Sequence, residues 1–141
     1  QHINEAVKLM TNYKLSLLPI VDQKNHYVGV ITKEGLFEYL AQDLMYTEAG
    51  SIIVLNIQKR DYSLNEISRL IESESSYILG VSLRNINDKL ELTLKLGTKD
   101  VAAIVATLER LSYSVVHTYE DGNIMSSYQE NYDYFMNYLD V

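Results

Sequence analysis

A strictly alternating segment is the strongest structural constraint in this chain. From Lys89 to Leu96 the sequence reads KLELTLKL, so that every second residue is a leucine. Because successive side chains of a strand point to opposite faces, the pattern predicts a strand with one buried face and one face in water. Asn87 and Asp88 precede this strand and predict a tight turn. The segment Tyr77–Ile86 before the turn is a second predicted strand, so a β-hairpin should form here.

The elements on either side of this hairpin extend the pattern. The apolar run Ile52–Ile57 is typical of a central strand. The sequence Ser63-Leu-Asn-Glu matches a capping box, in which the serine caps a helix and the glutamate reaches back. After the hairpin, Thr98 is the expected N-cap of another helix, and Ser114–Tyr119 is the expected last strand. The order β-α-β-β-α-β over residues 50–120 predicts the ferredoxin-like, or split βαβ, arrangement.

The first 46 residues predict a separate α-β-β-α unit. They begin with apolar residues at helical spacing. Two short strands follow, Leu17–Val21 and Tyr27–Ile31, and Pro19 favours an edge position for the first. Asp22–Asn25 is the turn between them. Thr32 is the expected N-cap of a helix that extends to about residue 45. The predicted fold class is therefore α+β.

The last segment, residues 123–141, predicts a C-terminal helix. Its apolar side chains Tyr128, Tyr132, Phe135 and Leu139 recur at helical spacing and form one stripe. An isolated helix of this length is marginal in water, so the stripe should pack on another surface. The first unit and a second subunit are the two expected surfaces.

Composition excludes several classes of partner and site. The net charge of −7 and the pI near 4.9 argue against nucleic acid and against an anionic membrane surface as partners. The chain has no cysteine, which excludes disulfides, thiolate catalysis and zinc–thiolate sites and fits a cytoplasmic location. No apolar run approaches the roughly 20 residues needed to span a bilayer.

Residues of catalytic type show no arrangement typical of an enzyme. His2, His26 and His117 are far apart and lack the spacing of metal ligands. The sequence contains neither a glycine-rich phosphate loop nor a serine nucleophile elbow. We therefore expect a protein without catalytic activity, metal or resident cofactor.

Two resemblances to known families follow from these elements. Leu18-Pro-Ile-Val-Asp22 and Gly29-Val-Ile-Thr32, joined by a turn, resemble the second part of a CBS domain, the cystathionine-β-synthase type. Residues 50–119 resemble an ACT domain by topology more than by motif. This order, together with Asp61-Tyr-Ser-Leu-Asn-Glu-Ile67 and the ending Asn137-Tyr-Leu-Asp-Val141, is similar to small bacterial CBS–ACT proteins related to acetoin-utilisation proteins. In that family the ACT domain usually follows two CBS repeats, which implies that this chain is the C-terminal part of a longer protein.

The CBS resemblance implies a site for an adenosine nucleotide. Such repeats carry the motif Gly-h-h-Thr/Ser-x-x-Asp, where h is an apolar residue. The Thr or Ser hydroxyl and the helix N-terminus attract the phosphate of the nucleotide, and the Asp binds the ribose hydroxyls. The candidate contacts here are Pro19, Ile20, Val21 and Thr32. Gly35 occupies the aspartate position, and losing a hydrogen bond to a charged acceptor costs about 1.5–3 kcal/mol of affinity. The alternative is that Thr32 only caps its helix.

The ACT resemblance implies a second ligand site, in the loop before the first helix of that unit. Amino-acid-binding ACT domains often carry a pattern similar to Asp-Arg-Pro-Gly-x-Leu there, with glycine for close approach of a ligand. The candidate residues are Asp61, Tyr62, Ser63 and Leu64. Tyr62 stands at the glycine position, where it would close the site, stack on a different ligand or serve a structural role only.

These features together predict a regulatory or sensory module that binds a small molecule. The resemblance implies that it responds to an adenosine nucleotide and couples binding to a change of assembly. The alternative is an oligomerisation module without a ligand of its own. Because a single CBS repeat would leave apolar surface exposed, we expect a homodimer or a larger assembly.

Overall fold

The computed structural model describes residues 2–120, 136 and 139 and divides the chain into two compact units. The first unit is Gln1–Thr47 and the second is Glu48–Val141. Each unit has an antiparallel sheet of its own, with two strands in the first and four in the second. The mixed α+β class predicted from the sequence is confirmed.

The first unit is a β-hairpin with helices before and after it. Its elements are α1 (Ile3–Asn12), β1 (Leu17–Val21), β2 (Tyr27–Thr32), α2 (Lys33–Leu40) and α3 (Leu44–Thr47). β1 and β2 pair from Leu17↔Thr32 to Val21↔Tyr27. In the turn between them, Asp22 Oδ1 accepts hydrogen bonds from the Lys24 and His26 amides, at 2.7 and 2.9 Å. The predicted turn is thus held by the Asp22 side chain.

The helix predicted from residue 33 to about residue 45 is shorter in the structure. α2 ends at Leu40, and a separate short helix, α3, begins at Leu44. Between them, Asp43 Oδ1 accepts a hydrogen bond from the Met45 amide at 3.1 Å. An Asp side chain that bonds to a nearby amide competes with the helical hydrogen bond of that amide, which accounts for the break.

The second unit has the predicted order β-α-β-β-α-β. Its elements are β3 (Ser51–Gln58), a 3₁₀ turn (Lys59–Asp61), α4 (Leu64–Ser73), β4 (Ile78–Ile86), β5 (Lys89–Leu96), α5 (Ala102–Arg110) and β6 (Ser114–Glu120). The strands lie in the order β4-β5-β3-β6, and every neighbouring pair is antiparallel. This order makes β3 and β5 the central strands and confirms the split βαβ arrangement.

One face of this four-stranded sheet carries the core. β3 and β5 alternate so that their buried side chains meet in register, as in Ile53↔Leu94 and Leu55↔Leu92. The helices α4 and α5 cover this face with Ile67, Ile71, Ile104 and Leu108, and Val101, just before α5, is buried with them. The alternation of KLELTLKL places Leu92, Leu94 and Leu96 in the core, as predicted. The prediction that its other face lies in water is wrong in part, because Lys95 is buried and Glu91 and Thr93 are half-buried.

The two predicted helix caps of the second unit differ in outcome. Ser63 Oγ accepts a hydrogen bond from the Glu66 amide at 3.3 Å, so the serine cap is confirmed. Thr98 was expected to cap α5, and this prediction is wrong, because the helix begins only at Ala102. Asp100 Oδ1 accepts from the Ala102 amide at 3.0 Å, while Thr98 hydrogen-bonds with the backbone of Asp100.

The predicted C-terminal helix lies outside the described residues, apart from two positions. Met136 and Leu139 are helical and exposed. Among the helices of the described residues, none combines the length and the apolar character needed to cross a membrane.

Candidate functional site

The first candidate site is a groove in the first unit. It has a volume of about 730 Å³, within the range of small-molecule sites, and lies between α1 and the hairpin. Its walls come from the apolar face of α1 and from β1. Three of the four predicted nucleotide contacts, Pro19, Ile20 and Val21, line this groove.

The fourth predicted contact, Thr32, lies outside the groove lining and caps α2. Its Oγ1 accepts a hydrogen bond from the Gly35 amide at 3.0 Å. The hydroxyl proton stays available for a ligand, because a hydroxyl can donate as well as accept. Gly35 itself is exposed, and a Cβ at this position would lie 3.3 Å from Thr32 Oγ1. An aspartate would therefore fit after a shift of a few tenths of an ångström.

The charge of the groove favours a neutral ligand group over a phosphate. The ionisable side chains in its lining are His2, Glu5 and Asp22, and no lysine or arginine is among the lining residues. The pKa of Asp22 is lowered, chiefly because its carboxylate accepts a hydrogen bond from the backbone N–H of His26, so this carboxyl is ionised. Apolar walls such as these suit the flat base of a nucleoside better than its phosphate.

The second candidate site is a cleft of about 680 Å³ in the second unit. It opens where the end of β3, the 3₁₀ turn and the start of β6 meet. Asp61, Tyr62 and Ser63 line it, as three of the four residues predicted for an ACT-type site. The fourth, Leu64, packs with Tyr62 against the core. Tyr62 thus turns partly towards the core, and the cleft stays open beside it.

Several side chains of this cleft were missed by the sequence analysis, and three of them are ionisable. They are Glu66, Lys89 and Tyr113, which come from a helix, a strand start and the residue before β6. Burial, and then a hydrogen bond with the Glu66 carboxylate, raise the pKa of Tyr113 to about 12. The pairs Gln58↔Lys89 and Asn56↔Ser114 bring both neighbouring strands to this end of β3. A sequence analysis that aligned these strands in this register would have located Lys89 and Tyr113.

The cleft carries charges of both signs. Arg60 and Lys89 are its cationic side chains, and Asp61 and Glu66 are its acidic ones. Arg60 Nε lies 3.8 Å from Asp61 Oδ2, and both side chains are exposed. Such a lining can bind a small polar molecule that itself has an anionic and a cationic group.

Metal-binding residues form no cluster in the described part of the chain. There, no three His, Asp or Glu side chains lie close enough together to hold an ion. His26 Nδ1 lies 3.4 Å from Asp22 Oδ2, and the ring of His117 lies 6.2 Å from that of Tyr119.

The segment that forms the groove of the first unit is similar to one known family. Residues 1–42 match the family model of the CBS domain. CBS domains are generally regulatory and nucleotide-binding, and they often form dimers and bind small ligands. The match supports a CBS domain protein and covers the segment that forms the groove. No curated protein matches this chain.

Proposed function

We propose that this chain is a non-enzymatic regulatory module that senses an adenosine nucleotide and couples binding to its state of assembly. The observation that carries the proposal is the CBS match, because the groove lined by Pro19, Ile20 and Val21 lies within it. A cytoplasmic location, favoured by the absence of cysteine, belongs to the same proposal.

The groove of this chain supports binding of the nucleoside and lacks two contacts for the rest of the ligand. Its walls are largely apolar, and its acidic groups Glu5 and Asp22 oppose a phosphate. Gly35 offers no carboxylate to the ribose hydroxyls. The 141-residue chain alone should therefore bind AMP or ATP weakly or not at all.

Restoring the missing carboxylate should strengthen nucleotide binding. We expect Gly35→Asp to lower the Kd for AMP by about 10-fold or more, since a hydrogen bond to a charged acceptor contributes about 1.5–3 kcal/mol. Gly35→Ala is the matched control, because it adds the same Cβ next to Thr32 without the carboxylate. Isothermal titration calorimetry of the three chains measures the difference.

An unchanged affinity in the aspartate variant would contradict the nucleotide proposal, provided that circular dichroism shows the same fold. Thr32 would then act only as the helix cap. An equal gain in Gly35→Ala would point to a stiffer α2 instead of a ribose contact, because glycine weakens a helix by roughly 0.5–1 kcal/mol relative to alanine.

We propose in addition that the second unit is an ACT-type ligand domain. The split βαβ arrangement and the polar cleft at Asp61, Tyr62 and Ser63 support this assignment. Titration with the common amino acids, followed by NMR, should move signals of the cleft, with Tyr113 among them. The matched variant Glu66→Gln should weaken the response to a ligand with an amino group. Chemical-shift changes spread evenly over the unit, or no changes with any amino acid, would contradict the assignment of an ACT-type ligand site.

A second candidate function is an oligomerisation module without a ligand. It is favoured by the apolar side chains that the first unit leaves in water, of which Phe37 is 73% exposed and Val28 63%. Among residues 2–47, the buried apolar side chains are Ala6, Met10 and Leu36. Contacts with another molecule would stabilise such a unit, whether or not a nucleotide binds.

A further inference from the structure

A groove between α1 and α2 differs in charge from the two candidate sites. It has a volume of about 570 Å³ and uses another face of α1 than the groove at Pro19. Lys14 and Lys33 are its ionisable side chains, and among the described residues its lining holds no Asp or Glu. The groove at Pro19 has acidic groups, and the cleft of the second unit has both signs. A lining with cationic groups alone favours an anionic ligand group.

The two lysines lie at the same end of this groove. Lys14 follows the last turn of α1, and Lys33 is the first residue of α2. The hairpin between the helices brings the chain back to its starting point, because Leu17 pairs with Thr32 and the Lys33 amide donates to the Ser16 carbonyl oxygen at 3.2 Å. Neither ammonium group forms an ion pair within the described part of the chain. Both charges can therefore act on one anionic group.

The remainder of the groove is apolar along both helices. Each helix contributes side chains at steps of three and four, so each presents one stripe. The members are Val7 and Met10 from α1, and Leu36, Phe37 and Leu40 from α2. Met10 and Leu36 are buried, whereas Phe37 and Leu40 are exposed. From Lys14 back to Val7 the groove follows about 10 Å of helix, which suits an acyl chain of medium length.

We propose that this groove binds an amphipathic carboxylate of the fatty-acid type. Its carboxylate would accept hydrogen bonds from Lys14 and Lys33, and charge-assisted bonds of this kind are the strong ones. Its acyl chain would lie over Met10 and Leu36 and cover apolar surface of Phe37 that is in contact with water. A second copy of the chain in contact with Phe37 would have to leave, so the acid competes with assembly. The site is separate from the nucleotide groove and does not depend on it.

Titration of the chain with octanoate, followed by NMR, tests the site. We expect the signals of the groove residues on α1 and α2 to move. Octanoate should bind about 10-fold more tightly than octanol, which has the same chain without the charge, and acetate alone should move no signals. Equal affinities for octanoate and octanol would overturn the proposal. So would octanoate signals that move only around Pro19 or only in the second unit.

Substitution of the lysines gives an independent test. Lys14→Gln and Lys33→Gln should each raise the Kd for octanoate by about 10-fold, the lower end of what a hydrogen bond to a charged group contributes, and leave the Kd for octanol unchanged. Lys8→Gln is the matched control, because Lys8 is exposed on α1 outside the groove lining. Circular dichroism checks the folds. An unchanged Kd for octanoate in both groove variants would contradict the proposal. Signals of α1 and α2 that respond to chain concentration and not to octanoate would assign the groove to a second copy alone, which would also overturn it.

Discussion

Replacing Gly50 with alanine should destabilise the second unit by about 3 kcal/mol, the upper end of the usual range for overpacking. A Cβ at Gly50 would overlap the carbonyl oxygen of Leu96 and lie 3.2 Å from its carbonyl carbon. Leu96 is fully buried, and it pairs with Ser51 at the start of β3. Because the obstacle is backbone, only a shift of one central strand against the other can relieve the overlap.

Gly29 and Gly97 provide controls, because a Cβ added at these positions would meet less severe steric overlap than at Gly50. A Cβ at Gly29 would have no atom within 4 Å, so Gly29→Ala should leave the stability within about 0.5 kcal/mol of the original. A Cβ at Gly97 would overlap the ring of Tyr77, which is 60% exposed and can rotate away. Urea unfolding followed by circular dichroism measures the free energy of unfolding of each variant. The loss should be largest for Gly50→Ala, smaller for Gly97→Ala and smallest for Gly29→Ala. A Gly50→Ala chain as stable as Gly29→Ala would show that the two strands are not packed as described.

The architecture of the second unit could be predicted because its strands have a clear period. The leucines of KLELTLKL and every second residue of the run Ile52–Ile57 point to the same face of the sheet, and the order of the elements leaves few topologies. The helix boundary at α5 could not be predicted in the same way. Thr98 and Asp100 are both good caps, and sequence alone does not decide which of two neighbouring side chains binds the first free amide.

The candidate sites were predictable only in part. Pro19, Ile20 and Val21 come from one strand, so a local motif was enough to place them together. Tyr113 and Glu66 are 47 residues apart in the chain, and their contact exists because β6 returns to β3. Tyr62 illustrates a further limit: it is a bulky residue at a position where the ACT pattern has glycine, and only its packing against the core decides where its side chain points.

The first unit should assemble through an apolar groove between α1 and α2. The groove has a volume of about 570 Å³, and its lining includes Met10, Leu36, Phe37 and Leu40, with Lys14 and Lys33 as its charged side chains. Phe37 stands out of this lining with 73% of its surface exposed. An aromatic side chain exposed beside an apolar groove is typical of the central contact of an interface.

We expect the chain to sediment as a dimer or a larger assembly. The substitution Phe37→Asp should raise its dissociation constant by roughly 100-fold, because truncation of a central aromatic contact costs at least about 2 kcal/mol of binding free energy. The charge that the aspartate would bury in the interface adds to this cost. The matched control is Tyr46→Asp, because Tyr46 is 69% exposed and lies on α3, outside the groove lining. Analytical ultracentrifugation measures both variants, and circular dichroism checks their folds. A monomer at high micromolar concentration before any substitution would refute the assembly, and dissociation by Tyr46→Asp alone would move the interface to α3. If Phe37→Asp dissociates the chain while the response to AMP in the Gly35→Asp background is kept, assembly and ligand binding use separate surfaces of the same unit.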